Sequence, residues 1–218
     1  DKTIIFNQTN ISSYFPPIVM MHRSAWTSKK NLRSHLDSVR ALAWHNDFLV
    51  SSGQYCLMKF WREGELTSTV RGMPSTYAEH LGPVFTMTKY KDQLYTGGSE
   101  GLIRQWDLSG LDKGRVTCKL EKELHNDVIW ELNHHRSLPL MLSSSADGLI
   151  QLVRTEQYLS LQHRFLRKMN NGEQLYTPTS LDWLDTDRFV TSYLEIPDVV
   201  VFDIATLQLP VYKAKNSR

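Results

Sequence analysis

Apolar and polar residues change places every second position in short runs along this chain, rather than every third or fourth. The clearest case is "YTGGSEGLIRQWD" at residues 95–107, where Leu102, Arg104 and Trp106 alternate with Ile103 and Gln105. A period of two marks half-buried β-strands, because successive side chains leave opposite faces of the pleat. The glycines Gly97, Gly98 and Gly101 could also belong to a phosphate-binding loop. That reading needs a Lys and a Ser or Thr opening a helix, and neither follows Gly101. The spacing does not fit a dinucleotide fingerprint either. The stretch is therefore a hairpin turn, with glycine supplying the positive φ that a tight turn requires. Turns are expected near residues 54–55, 99–101 and 146–148, in a chain that is almost all β.

The pattern repeats. "SHLDSVRALAW" from Ser34, "EHLGPVFTMTK" from Glu79 and "LHNDVIWELNH" from Leu124 place His35, His80 and His125 at intervals of 45 residues. Downstream lie "SSGQYCLMKFW", "TGGSEGLIRQW" and "SSSADGLIQLV", with Trp61 and Trp106 again 45 apart. A period near this length, with several short strands, an early His and a late Trp-Asp, is the signature of a WD-repeat β-propeller. A weaker fourth copy runs from "TPTSLDWLDTDRFVTSY" to "DVVVFDIATLQ".

In such repeats the early His, a hairpin Asp, a Ser or Thr on the second strand and the late Trp form a buried hydrogen-bonded set. Every copy here is incomplete. The first keeps His35 and Trp61 but has Tyr55 at the hairpin Asp position. The second keeps His80 and Trp106 but has Glu100 there. The third keeps His125 and Asp147 but has Val153 for Trp. His35, Trp61, His80, Trp106, His125 and Asp147 are thus structural residues of blades held mainly by packing.

Composition narrows the function. A net charge of +2 is too small to argue for nucleic acid or an anionic membrane surface. The longest apolar runs, such as "VVVF" at 199–202, are far too short to span a bilayer. Two cysteines, Cys56 and Cys118, offer neither a disulfide framework nor zinc spacing, which fits a reducing compartment. Cys56 reads as a small buried residue. His134 and His135 are adjacent, so on a strand they point to opposite faces, and they read as a solvated turn rather than a metal pair. The basic stretch "HRFLRKMNNGE" at 163–173 reads as a solvated insertion. No acid–base pair or triad spacing occurs. The chain reads as no enzyme, with no cofactor and no metal.

The phrases "NLRSHLDSVRALAWH", "YTGGSEGLIRQW", "HNDVIWEL", "SSSADGLIQL" and "TPTSLDW" occur in that order, and together they resemble the first four blades of the striatin-family propeller. The resemblance covers roughly residues 26–209. It implies a scaffold subunit, cytoplasmic or held peripherally at endomembranes by its partners. Those partners would be protein phosphatase 2A subunits, Ste20-like kinases and further subunits of the complex. It also implies oligomerisation through a coiled coil that lies outside this chain, since no heptad pattern occurs. The family propeller closes with seven blades, so about four are present and the sequence reads as a piece of a longer chain. A closed four-bladed ring is the alternative that the resemblance disfavours. Residues 1–24 form an N-terminal segment or closing strand. Residues 25–218 form a partial propeller with blades near 25–63, 77–109, 118–156 and 157–212.

The binding surface follows from propeller geometry. Five residues after each His stand Arg40, Phe85 and Trp130, and Asp182 is assigned as their fourth-blade equivalent by motif. Arg and aromatic side chains are the usual anchors of interfaces. These four are the expected top-rim site for a partner. The competing readings are that Phe85 and Trp130 fill space between blades, and that the propeller reads a peptide or modified tail as a substrate adaptor.

Overall fold

The structure is a computed structural model. It describes residues 31–54, 57–63, 65–71, 82–156, 158–170, 172–205 and 212–213. They form four antiparallel four-stranded sheets. The first sheet contains β1 (Val39–His45), β2 (Phe48–Gly53), β3 (Leu57–Arg62) and β4 (Glu65–Arg71). The second contains β5 (Val84–Tyr90), β6 (Gln93–Gly98), β7 (Leu102–Asp107) and β8 (Thr117–Glu123), with a 3-10 turn at Leu111–Lys113 between its last two strands. The third contains β9 (Ile129–His134), β10 (Leu140–Ser145), β11 (Leu149–Arg154) and β12 (Ser160–Leu166). The fourth contains β13 (Pro178–Trp183), β14 (Arg188–Tyr193), β15 (Val199–Asp203) and β16 (Tyr212–Lys213). In each sheet the strands pair in chain order, the meander of a propeller blade.

The first three blades extend further than repeat spacing alone indicates. Each has a fourth strand beyond its third, as β4, β8 and β12 show. Thr117–Glu123 pairs with Leu102–Asp107 and so closes the second sheet instead of opening the third. Its alternating exposed and half-buried residues, "TCKLEKE", look solvated because only one face of an edge strand meets the sheet. Residues 163–166 of the basic stretch belong to β12 for the same reason. The loop proper begins at Arg167 and is pinched by a bridge between Lys168 and Leu175.

Three cores lie between neighbouring sheets. Ala41, Val50, Phe60, Leu94 and Trp106 fill the gap between the first two. Tyr95, Ile103, Ile129, Met141 and Val153 fill the second gap. Leu142, Phe165, Phe189, Val200 and Phe202 fill the third. The second strands of the first three sheets are buried on both faces, so β2 reads as six consecutive buried residues, while β14 is buried on one face. The innermost strands β1, β5, β9 and β13 pack against one another in sequence. They are also tied sideways. Leu132 N–H donates to Thr86 Oγ1 at 3.0 Å and His134 N–H to Thr88 Oγ1 at 3.2 Å. Between the third and fourth sheets, Asn133 Nδ2 donates to the Leu181 carbonyl at 2.9 Å, and Trp183 Nε1 to the Asn133 carbonyl at 3.1 Å.

The hairpin at 99–101 turns on Gly101, whose φ is +72°. A Cβ there would stand 2.2 Å from the His125 carbonyl, so only glycine fits. The Gly101 carbonyl in turn accepts the N–H groups of Leu124 and His125 at 3.3 and 3.2 Å, which clips the loop of the third blade onto the second.

Candidate functional site

The early-His network survives in pieces, and each piece is complete enough to satisfy its buried members. In the first sheet Ser51 Oγ lies 2.7 Å from His35 Nε2 and accepts from Trp61 Nε1 at 2.7 Å. In the second, Trp106 Nε1 donates to Thr96 Oγ1 at 2.8 Å. His80, its expected partner, lies outside the described residues, as do Tyr55 and Cys56. In the third, His125 stands 2.9 Å from Asp147 through Nδ1 and 2.8 Å from Ser143 through Nε2. Burial pushes the Asp147 carboxyl up. The hydrogen bonds from His125, Leu149 N–H and Asn126 N–H outweigh this and hold it below its ordinary range.

A second buried polar set escaped sequence reasoning. Lys59, Arg104 and Gln151 lie directly across from Ser51, Thr96 and Ser143 on the neighbouring strand. All three are buried. Lys59 Nζ donates to the Ser34 carbonyl and hydroxyl at 2.5 and 2.6 Å, and Gln151 Nε2 to the Leu124 carbonyl. Each pins the loop that enters its own blade. Arg104 is held by Glu100 at 2.6 Å and Glu121 at 2.8 Å. Glu100 therefore serves as a partner for Arg104 in the hairpin position that a repeat Asp would occupy. The available signal was the recurrence of a long polar residue at the same place on successive third strands.

Four of the expected residues were assigned to the top rim, and the structure gathers three. The Arg40 guanidinium sits over the Phe85 ring at 5.7 Å. The Phe85 and Trp130 rings lie 5.7 Å apart with a 35° tilt. Trp130 keeps 40% of its surface exposed, Arg40 is exposed and Phe85 half-buried. All three occupy the second position of an innermost strand, where the pairing with the next strand slips at a β-bulge. A bulge adds an unpaired residue and re-aims its side chain. That shared defect places a cation and two aromatic rings in one row across three blades.

Asp182 does not belong to this row. The fourth-blade bulge lies between Pro178 and Ser180, which makes Thr179 the equivalent residue. Thr179 Oγ1 lies 3.0 Å from Ser192 Oγ. Asp182 stands three positions further along β13 and is 3.4 Å from Asn133 Nδ2. The fourth repeat has no early His to anchor its alignment, which accounts for the misplacement. The carboxylate nearest Trp130 in the chain is Glu131, which accepts the Leu181 N–H at 2.7 Å. Burial raises its pKa above the usual carboxylate range.

His134 and His135 are also placed differently from the expected solvated turn, since both are buried. His134 stacks on Tyr90 at 4.3 Å and lies 5.7 Å from Tyr95, while His135 meets Trp183 edge-on at 4.9 Å. These contacts come from neighbouring blades and are invisible in local sequence. Among the described residues no group of three or more His, Cys, Asp or Glu side chains is arranged to hold a metal ion. Nor is any helix among them long and apolar enough to cross a membrane.

Buried His134 and half-buried His35 give the fold an acid response. Burial, partly opposed by the His135 carbonyl, lowers the His134 pKa from 6.5 to about 4. Burial and the neighbouring Lys59 lower that of His35 to about 4 as well. A folded value below the unfolded one means that the unfolded chain binds more protons between these limits. Stability is therefore fully present above about pH 6.5 and declines as the pH falls towards 4. Urea midpoints should fall between pH 7 and 4.5, and His134→Gln should flatten that fall. An equal fall in both chains would refute the assignment.

Comparison with known proteins agrees with the fold and narrows the family. No family model matches the chain. It is 33% identical over 216 residues to the striatin homolog of Dictyostelium discoideum, an alignment covering 84% of this chain and 25% of that protein. It is 27% identical over 225 residues to striatin-3 of Bos taurus, covering 94% of this chain and 27% of that protein. The chain thus spans about a quarter of the length of these curated relatives. Among solved structures, the RRP9 WD40 repeats superpose with a TM-score of 0.69 at 18% identity, covering 81% of this chain and 51% of that one. At that identity the likeness concerns the fold alone. The repeats, the four meander sheets and the relatives converge on one conclusion: the chain is a WD-repeat β-propeller homologue of striatin and striatin-3.

Proposed function

We propose that this chain is a non-catalytic scaffold propeller of a striatin-like complex, linking protein phosphatase 2A with Ste20-like kinases and other subunits in signalling at the cytoplasm. The observation that carries the reading is the row Arg40–Phe85–Trp130, which presents one guanidinium and two aromatic rings along the rim of three consecutive blades. These residue types dominate binding hot spots, because they bury much surface at little entropic cost. A Trp that keeps 40% of its surface exposed beside a tilted Phe ring is available to an interface. The chemistry needed for a scaffold is recognition, and this row supplies it.

The same row favours one second reading, a substrate adaptor that grips an extended peptide or a modified tail across the rim. The two differ in what is bound. Affinity purification with mass spectrometry would compare the parent chain with Arg40→Glu, with Trp130→Ala, and with a chain whose residues 169–174 are replaced by two glycines. That loop replacement spares β12, which a deletion of the whole basic stretch would destroy. We expect the rim variants to lose phosphatase and kinase subunits at unchanged melting temperature, and the loop variant to keep them. The opposite pattern would remove the rim as the site.

A further inference from the structure

The loop that joins β7 to β8 is a rigid cradle with an excess of positive charge. Leu108, Leu111 and Val116 are buried in the core between the first two sheets and anchor the loop from below. Its backbone closes on itself. The Gly110 carbonyl accepts the N–H groups of Lys113 and Arg115, both at 3.0 Å, and the Leu111 carbonyl accepts that of Gly114 at 2.8 Å. A Cβ at Gly110 would stand 3.1 Å from the Arg115 Cβ, so glycine lets the two arms of the loop approach closely. Asp107, Ser109, Gly110, Lys113, Arg115 and Thr117 line a cavity of about 300 Å³. Asp107 is the carboxylate of this wall and is already engaged. It accepts the Ser109 N–H at 2.9 Å and pairs with Lys119 at 3.2 Å. Asp112, beside Lys113 in the chain, pairs with Arg62 of the first sheet at 3.4 Å. Lys113 and Arg115 are exposed, and neither side chain is paired with a carboxylate among the described residues.

We propose that this cavity binds a phosphoryl group carried on a side chain of a protein partner. The Arg115 guanidinium offers a planar fork for two phosphoryl oxygens, Lys113 adds a point charge, and the Thr117 hydroxyl stands in the same wall as a further donor. Two uncompensated cations match a dianion better than the single charge of a carboxylate. The lining residues carry no apolar side chain that could enter a lipid layer. Two cations in a chain of net charge +2 make no track for a nucleic-acid backbone. The cavity lies at the opposite end of the second sheet from Phe85, so the site does not depend on the Arg40–Phe85–Trp130 row.

The test follows the backbone amides of residues 109–117 by NMR in the whole chain, at about pH 7.5, where a phosphoserine is doubly charged. A blocked Gly-phosphoserine-Gly tripeptide should shift the Gly110, Gly114 and Thr117 signals saturably. Arg115→Gln should weaken its binding about tenfold, the loss expected for a charge-assisted hydrogen bond, and Lys113→Gln should weaken it in the same direction. The double variant should lose the response. Both side chains are exposed, so these chains should melt with the parent. Arg40→Glu should bind the tripeptide as the parent does, which separates this site from the rim. Four results would each overturn the proposal: no saturable shift, equal binding of a Gly-Glu-Gly tripeptide, tighter binding of inorganic phosphate or of a short single-stranded RNA, or a double variant that responds like the parent.

Discussion

Replacing Trp106 with alanine should cost about 3–5 kcal/mol of unfolding free energy, the range for removing a large buried aromatic residue. Trp106 is 2% exposed and lies in the core between the first and second sheets, beside Phe60 and Leu94. Its loss opens a cavity between two rigid sheets that cannot collapse into it, because each is fixed by its own hydrogen-bonded ladder. It also strands the Thr96 hydroxyl, which is completely buried and accepts the indole N–H at 2.8 Å. Thr96→Val separates the two contributions. It leaves the core filled and the indole N–H unpaired, and should cost about 1–3 kcal/mol. Urea denaturation of both variants measures the difference. If Trp106→Ala unfolds at the parent's midpoint, the network is not what holds the second blade to the first.

Phe189→Ala should be comparably destabilising, again about 3–5 kcal/mol, for a different reason. The fourth blade has no early His and no Trp-Asp, so packing must hold it. Phe189 is fully buried and has three aromatic neighbours: Phe165 at 5.0 Å, Phe202 at 5.1 Å and Trp183 at 6.2 Å. Phe165 comes from the third sheet, so the cluster joins two blades. Such pairs contribute about 0.5–1.5 kcal/mol each beyond area burial. Limited proteolysis should cut the Phe189→Ala chain first within residues 178–205, with the second and third sheets still protected. A fourth blade as resistant as the parent's would show that its anchorage lies elsewhere.

The repeat was legible because its markers are chemically expensive. A His, a Trp and a glycine turn each fulfil a fixed geometric role, so they recur at a fixed spacing even where the rest of the blade has drifted. The hairpin at Gly101 and the row Arg40–Phe85–Trp130 followed from that spacing alone. What stayed hidden depended on neighbours distant in sequence. His134 looked solvated because its stacking partners, Tyr90 and Tyr95, belong to another blade. The sequence reading passed over Lys59 and Arg104, whose charges are turned inward onto Ser34, Glu100 and Glu121. Asp182 was misplaced because a β-bulge, not a motif, sets which residue faces the rim. Four-stranded blades were expected, but the bounds of the first three stopped short of their fourth strands, because an edge strand buries only one face.

The central claim is that the rim formed by Arg40, Phe85 and Trp130 is where this propeller holds its partners. A photo-crosslinking amino acid placed at position 130 tests it directly, with position 158 as the control. Tyr158 is 82% exposed and follows β11, at the end of the third sheet opposite to Trp130. Irradiation in cells followed by mass spectrometry should capture a phosphatase 2A subunit or a Ste20-like kinase from position 130 and neither from position 158. Capture of those subunits from position 158, with none from position 130, would contradict the account.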